Sequence, residues 1–248
     1  MSGHSKWATT KRRKAAVDSK RSKIFTKIAK EITVAARVGG GDAETNPRLR
    51  HAIAEGRANN MPYENIERAI KRGTGELEGV RYEELSLEAY GPGGVALMIE
   101  ILTDNRNRSL ADLRYILSRN GGNLGERGCV SWMFEKKGLI VVDKNSADED
   151  EILMIALEAG ADDLKVEDDR FDIYTTPETF EDVRNAIEKA GIKLTLAEIS
   201  MIPQTTVAVK GKEAQQVLHL LEALDEHDDI QNVYSNFDIP DEMLDAAA

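Results

Sequence analysis

Apolar residues recur at helical spacing in three stretches of the first 75 residues. The first stretch begins with isoleucines at positions 24, 28 and 32, and the glycines of "VGGGD" end it after Val38. "TNPRLRHAIAEGRANN" predicts a second helix, with Asn46 as N-cap and Pro47 at the first helical position. "MPYENIERAIKRGTG" predicts a third helix that starts near Pro62 and ends before Gly73. The pattern therefore indicates a small three-helix module.

The spacing of apolar residues changes from that of a helix to that of a strand after residue 80. "YEELSLEAY" and "VALMIEI" predict two strands that are joined by a turn at "GPGG". A helix follows, with Ser109 as the predicted N-cap and Asp112 in the capping-box position. "CVSWMFE" predicts the next strand, which would place Cys129 inside it.

A second α+β unit follows with the element order βαββαβ. Its strands are "GLIVVD", "DDLKVEDD", "FDIYTT" and "KLTLAEISMIP", and its helices are "EDEILMIALEAG" and "PETFEDVRNAIEKAG". This order is the split pattern of ferredoxin-like units. The chain closes with one more helix and one more strand, which would complete the first unit.

The elements together predict a multi-domain α+β protein. A basic three-helix domain over 1–80 is followed by two ferredoxin-like α+β domains, one inserted in the other. The middle domain would combine 81–135 with 203–248, and the inserted domain would span 136–202. A contiguous domain at the end of the chain fits the pattern nearly as well.

Charge is distributed unevenly along the 248 residues. The formal net charge is −11, yet residues 1–75 hold 17 Lys and Arg against 7 Asp and Glu. The remainder holds 16 basic residues against 37 acidic ones. The basic part can attract a polyanion, whereas the acidic part would face away from one and could hold a protein partner.

Composition excludes several protein classes. With 41% hydrophobic and 31% charged residues, the profile is that of a globular protein. No apolar run approaches the roughly 18–20 residues of a membrane span, and no apolar segment follows the basic start as in a secretory signal. The single cysteine, Cys129, cannot form an internal disulfide. We therefore expect a cytoplasmic protein without membrane contact.

No constellation for catalysis is evident in the sequence. "GPGG" lacks the spacing of a phosphate-binding loop and lies between two strands. His4, His51, His219 and His227 lack metal-site spacing, and Cys129 has no nearby basic residue that would favour a thiolate. We therefore expect no enzyme activity, no metal and no cofactor.

The charged side chains of the first 38 residues are nearly all positive, with 11 basic residues against 2 acidic ones. A solvated helix face normally mixes its charges, so this sign favours contact with a phosphate backbone. Trp7 lies alone in this leader, where it could stack on a base or anchor the leader to the helices.

Two arginine pairs add to the candidate site. Arg48 and Arg50 fall in the first turn of the second helix, where positive side chains oppose the helix dipole. Arg106 and Arg108 are predicted to lie in a loop before the Ser109 cap, where they could meet phosphates or base edges, or be ordinary polar loop residues. The predicted nucleic-acid-binding residues are His4, Ser5, Lys6, Trp7, Lys11, Arg12, Arg13, Lys14, Lys20, Arg21, Lys23, Arg48, Arg50, Arg106 and Arg108.

Several motifs in combination resemble the YebC/PmpR family: "GHSKW" (3–7), "NPRLR" (46–50), "YGPGG" (90–94), "DNRNR" (104–108), "GGNLG" (121–125) and "SMIP" (200–203). The resemblance covers the whole chain and implies a helical domain followed by two α+β domains, one within the other. It also implies that residues 3–7 match the family's N-terminal signature and that Arg106 and Arg108 match its arginine-rich loop. Ala89, where many relatives carry glycine, is a local departure that leaves the turn glycines intact.

Two functions remain open from the sequence. Bacterial members of the family are described as DNA-binding transcriptional regulators, which implies a regulator that holds duplex DNA. Relatives that include the mitochondrial translational activator act in translation, and bacterial members have also been linked to relieving ribosomes stalled on proline-rich stretches. Membership of this kind implies contact with ribosomal RNA. Phosphate attraction does not separate these two targets, because it is blind to the type of sugar.

Overall fold

The computed structural model describes residues 21–239, which contain seven α-helices and ten strands. The helices are α1 (Arg21–Gly39), α2 (Pro47–Ala58), α3 (Tyr63–Thr74), α4 (Arg106–Arg119), α5 (Glu149–Glu158), α6 (Phe180–Lys189) and α7 (Gly211–Asp225). The strands are β1 (Glu83–Tyr90), β2 (Ala96–Thr103), β3 (Asn123–Leu124), β4 (Phe134–Asp143), β5 (Asp163–Val166), β6 (Arg170–Thr175), β7 (Leu194–Pro203), β8 (Val207–Ala208), β9 (Ile230–Ser235) and β10 (Phe237–Asp238).

The first three helices pack around their own apolar core. Ile28 and Ile32 of α1 are buried together with Leu49 of α2 and Ile66 of α3. Asn46 caps α2 as predicted, since its side chain accepts a hydrogen bond from the Leu49 amide at 3.1 Å. The same side chain donates to the carbonyls of residues 35 and 40, both at 2.8 Å, and so also fixes the turn after α1.

The predicted end of α3 before Gly73 was wrong by two residues. The helix continues to Thr74, and Gly75 ends it with a left-handed φ of 86°. Gly73 lies inside the last turn, where a Cβ would collide with the carbonyl oxygen of Thr33 and approach the Cβ of Ala36 to 2.7 Å. Gly73 therefore serves the close approach of α3 to α1.

Two helical glycines in this module should respond oppositely to alanine. Gly73→Ala should lower the free energy of unfolding by about 1–3 kcal/mol, because the new methyl group overpacks the contact with α1. At Gly56 a Cβ would meet only ordinary contacts at 3.4 Å and beyond. Gly56→Ala should therefore raise the free energy of unfolding by roughly 0.5–1 kcal/mol, because alanine favours the helix more than glycine does. Denaturant unfolding of both variants tests the pair. Equal effects would contradict the close approach at Gly73.

The first sheet has the strand order β3-β1-β2-β9, and its neighbouring strands are antiparallel. The predicted turn between β1 and β2 is confirmed, with Gly93 and Gly94 both at positive φ. Helices α4 and α7 cover this sheet through a core that includes Leu97, Leu117 and Leu221.

Helix α4 starts earlier than predicted, and the Ser109 cap was wrong. Asn105 is the N-cap, since its side-chain oxygen accepts a hydrogen bond from the Arg108 amide at 3.1 Å. Ser109 is buried within the first turn, where its hydroxyl donates to Asp229 at 2.7 Å. The Ser109 hydroxyl, which was predicted to cap the helix, therefore donates instead to the carboxylate of Asp229, a residue far away in the sequence. Arg106 and Arg108 consequently lie in the first helical turn and not in a loop.

The strand predicted at "CVSWMFE" begins only at Phe134. The residues before it wrap around the carboxylate of Glu88, which accepts hydrogen bonds from the amides of Gly128, Val130 and Ser131 at 2.6–2.8 Å. Burial favours the neutral acid, but these three amides outweigh it and lower the pKa of Glu88. Backbone amides that bind a carboxylate cannot also pair in a sheet, so Cys129 lies in a turn.

The second sheet has the strand order β5-β6-β4-β7, again with antiparallel neighbours. Helices α5 and α6 pack on it through a core that includes Ile140, Ile152 and Ile187. All four strands fall between Phe134 and Pro203, whereas β9 returns to pair with β2 of the first sheet. The predicted multi-domain α+β class is thus confirmed, the second sheet has the ferredoxin-like strand order, and the exact domain boundaries stay a prediction.

Candidate nucleic-acid interface

The predicted site residues from His4 to Lys20 lie outside the described residues. Arg21 is the first residue of α1, and its side chain is likewise outside the described set. The structure therefore locates five of the predicted side chains: Lys23, Arg48, Arg50, Arg106 and Arg108.

One face of α1 carries three lysines that reach the C-terminal end of α7. The ammonium groups of Lys23, Lys27 and Lys30 donate to the carbonyls of residues 226, 225 and 228 at 3.1, 2.7 and 2.9 Å. Unpaired carbonyls at a helix C-terminus carry partial negative charge and favour cations. These lysines attach the helical module to the first sheet, so Lys23 has a partner within the chain.

Asp229 is the centre of a buried polar network next to these lysines. Only 3% of this residue is exposed, and its carboxylate receives Lys30 at 2.6 Å and Arg108 at 2.9 Å. The hydroxyls of Ser109 and Thr103 donate to it at 2.7 and 3.2 Å. The network joins α1 of the helical module to the first turn of α4.

The protonation of Asp229 depends on these donors. Burial favours the neutral acid, but hydrogen bonds from Lys30, Arg108 and Ser109 outweigh it and hold the pKa well below the ordinary range of an aspartate. In the unfolded chain the same carboxyl titrates near about 3.9.

Acid should therefore weaken the fold through Asp229. A lowered folded-state pKa contributes stability that is fully present above the unfolded pKa and is lost as pH falls through the folded one. We expect Asp229→Asn to destabilise the protein at about pH 7 and the difference from the wild type to shrink below about pH 4. Thermal unfolding of both proteins across this range measures it. A difference that is constant with pH would contradict the lowered pKa.

Arg48 and Arg50 lie in the first turn of α2 as predicted, but their surroundings differ. Arg48 pairs with Glu31 at 2.6 Å and with Glu84 at 2.9 Å. The hydrogen bond that Arg48 donates to Glu31 outweighs partial burial and raises the pKa of Arg48 above its ordinary value. Arg50 donates to the carbonyls of Ala43 and Glu44 and forms no ion pair with a carboxylate in the described part of the chain.

The arginines of "DNRNR" are engaged with acidic side chains. Arg106 approaches Glu83 at 3.4 Å, and Arg108 pairs with Asp104 at 2.7 Å in addition to Asp229. The hydrogen bonds that Arg108 donates to Asp229 and Asp104 raise its pKa above the ordinary value. The structure thus brings Arg108 to the same carboxylate as Lys30, whereas Arg48 and Arg50 lie on α2.

A group of three arginines at the other end of α1 was missed in the sequence. Arg37, Arg72 and Arg81 line a groove of about 430 Å³, here called the arginine groove. Its remaining lining residues are Gly73, Thr74, Gly75, Leu77 and Gly79, so no aspartate or glutamate among residues 21–239 lines it. The three arginines lie 35 and 9 positions apart, and only the packing of α1 against α3 brings them together. The nearest sequence signal is the run of glycines in "GTGELEGVR".

Other candidate chemical groups have structural partners. Burial is the main cause of a raised pKa at the Cys129 thiol, which keeps it protonated. The His227 ring accepts from the Asp229 amide at 3.1 Å. Within residues 21–239, no cluster of three or more His, Cys, Asp or Glu is placed to hold a metal ion, and no helix is long and apolar enough to cross a bilayer.

Comparison with known proteins places these features in a family context. A family model described as the TACO1/YebC protein N-terminal domain matches residues 5–76, and one described as the TACO1/YebC second and third domain matches residues 82–237. A protein of Desulforapulum autotrophicum is 60% identical over 246 residues, which cover 99% of this chain and 100% of the relative. One of Syntrophobacter fumaroxidans is 60% identical over 249 residues and covers both chains fully. Both are named probable transcriptional regulatory protein.

A solved structure shares the fold. The crystal structure of a conserved hypothetical protein from Aquifex aeolicus superposes with a TM-score of 0.81 at 48% sequence identity. The match covers 92% of this chain and 94% of that chain.

Proposed function

The chain belongs to the TACO1/YebC family, and from this premise we propose that it is a DNA-binding transcriptional regulator whose helical module holds the phosphate backbone. The names of its relatives support a role as a regulator. The proposal goes further in assigning nucleic acid as the ligand and the first domain as its contact surface.

The proposal rests on positive side chains of the helical module that have no acidic partner among the described residues. The arginine groove has no acidic lining residue, and Arg50 donates only to backbone carbonyls in the described part of the chain. Arg106 and Arg108 of α4, by contrast, pair with Glu83, Asp104 and Asp229. Residues 1–75 also hold 17 basic residues against 7 acidic ones, so the net positive charge of the chain lies on this module and its leader.

The attachment of the module explains how binding would be oriented. Lys23, Lys27 and Lys30 hold α1 against the end of α7, so the module presents a fixed surface. The acidic remainder of the chain repels a polyanion and favours approach from the basic side. Phosphate contacts of this kind fix position but carry no sequence information.

The proposal is tested by binding of the full chain to a labelled DNA duplex over a range of salt concentrations. With Z phosphates neutralised, log K should fall with log[salt] at a slope of roughly −0.9Z. Duplex DNA should be retained in competition with an RNA duplex of the same length. Preference for RNA, together with co-sedimentation with ribosomal particles from lysate, would replace DNA by ribosomal RNA as the target. Absence of binding to either polymer at low salt would contradict the proposal.

A further inference from the structure

The arginine groove is assembled from three separate segments of the chain. Arg37 comes from the last turn of α1, Arg72 from the last turn of α3, and Arg81 from the linker that leads into β1. Its volume of about 430 Å³ lies within the roughly 300–1,000 Å³ that small-ligand sites occupy. The groove is thus large enough for one nucleotide unit.

The positive charge of the groove exceeds the partial negative charge of the two helix ends that meet there. The C-termini of α1 and α3 meet here, and each contributes about −0.5 charge through its unpaired carbonyls. Three guanidinium groups therefore leave a surplus of about +2. Glu76 and Glu78 belong to the same linker, but neither lines the groove, and Glu76 accepts a hydrogen bond from the Thr74 hydroxyl at 3.0 Å.

The linker that forms one wall is held in place at both ends. The Leu77 amide donates to the Lys71 carbonyl at 3.1 Å, and the Arg37 guanidinium donates to the Val80 carbonyl at 3.1 Å. Gly79 lies on the aliphatic part of Arg72, where a Cβ would come within 3.2 Å of that side chain. The wall is thus preformed, which lowers the entropic cost of binding.

One apolar side chain shares the groove with the arginines. Leu77 lines the groove and is 43% exposed, so its side chain offers apolar surface to a ligand. Guanidinium planes bind phosphates through paired N–H groups, and apolar surface accepts a sugar or base edge. The combination matches the two chemical faces of a nucleotide.

We propose that the arginine groove binds one nucleotide unit of the nucleic acid, with its phosphate on Arg72 and Arg81 and its sugar or base against Leu77. This inference rests on the proposed function and names a contact point for it. Arg37 is half-buried and already donates to Val80, so it mainly holds the wall and adds charge.

The test is the salt dependence of binding by the full-length double variant Arg72→Ala/Arg81→Ala. Loss of this one phosphate contact should make the slope of log K against log[salt] shallower by roughly 0.9 and should lower affinity at least about tenfold. Lys189→Ala/Lys193→Ala removes the same charge from exposed positions on and after α6 and should leave both quantities unchanged. Leu77→Ser should lower affinity without changing the slope.

The outcomes separate this inference from the proposed function. If the wild type binds and Arg72→Ala/Arg81→Ala binds with the same slope and affinity, the arginine groove is not a contact point, although the proposed function stands. If the wild type binds neither DNA nor RNA, both fail. Thermal unfolding of each variant shows whether a loss of binding reflects unfolding, and Arg72→Gln/Arg81→Gln, which keeps the size of the side chains, provides a second measurement of the same slope.

Discussion

Replacing Asp229 with alanine is expected to lower the free energy of unfolding by about 3–5 kcal/mol. The substitution leaves the ammonium of Lys30 without its buried carboxylate, removes an acceptor of the Ser109 hydroxyl, and removes one of the two carboxylates that hold Arg108. Loss of one partner of a buried ion pair costs more than the pair contributes, because the remaining charge stays buried. Thermal or denaturant unfolding measures the loss.

The neighbouring Asp228 offers a matched control. Its side chain is exposed, and only its backbone carbonyl accepts the bond from Lys30. Asp228→Ala should therefore change the free energy of unfolding by no more than about 0.5 kcal/mol. Similar effects of the two substitutions would contradict the central place of Asp229 between the helical module and α4.

The second large effect is expected on binding. Substitution of Arg12, Arg13 and Lys14 with alanine should make the salt slope on duplex DNA shallower by about 2.7, because three phosphate contacts are lost. Between about 50 and 200 mM salt, the affinity of the variant should then fall roughly 40-fold less than that of the wild type. Fluorescence anisotropy of a labelled duplex at several salt concentrations gives both slopes.

A control for this variant removes three positive charges elsewhere. Arg127→Ala/Lys189→Ala/Lys193→Ala takes them from exposed positions outside the helical module. If this control flattens the slope as much as the leader variant, net charge governs binding and the leader is not a specific contact surface. If neither variant alters slope or affinity, the leader makes no phosphate contacts.

Most of the fold could be predicted because its signals are local. The continuous apolar run in "GLIVVD" and the helical spacing in "PETFEDVRNAIEKAG" each depend on neighbours within one element, and the order βαββαβ then indicates the ferredoxin-like topology. The cap at Asn46 was equally local, since the side chain and the amide that it accepts from are three residues apart.

The errors arise where a distant residue competes for a local group. Ser109 has the sequence pattern of an N-cap, but Asp229 lies 120 positions away and takes its hydroxyl. Cys129 has the pattern of a strand, but the carboxylate of Glu88 draws the surrounding amides into a turn. The two partners of each contact lie too far apart in the sequence for a local pattern to reveal them.

The candidate site shows the same limit for charges. Composition correctly locates positive charge in the first domain, but it cannot say which cations are already paired. Arg48 and Arg108 bind carboxylates within the chain, and Lys23 binds a carbonyl, whereas Arg37, Arg72 and Arg81 come together only in the folded module. The arginine groove and the acidic partners of the predicted arginines could not be predicted, because the residues involved are far apart in the sequence.

The most direct test of nucleic-acid binding by the helical module is ultraviolet crosslinking of the full chain in its own cells, followed by identification of the crosslinked peptides and sequencing of the bound polymer. The proposed function predicts crosslinked peptides within residues 1–82, which span the leader and the arginine groove, and recovery of promoter DNA. Crosslinks confined to residues 83–239, or recovery of no nucleic acid, would contradict the claim that the helical module holds the phosphate backbone.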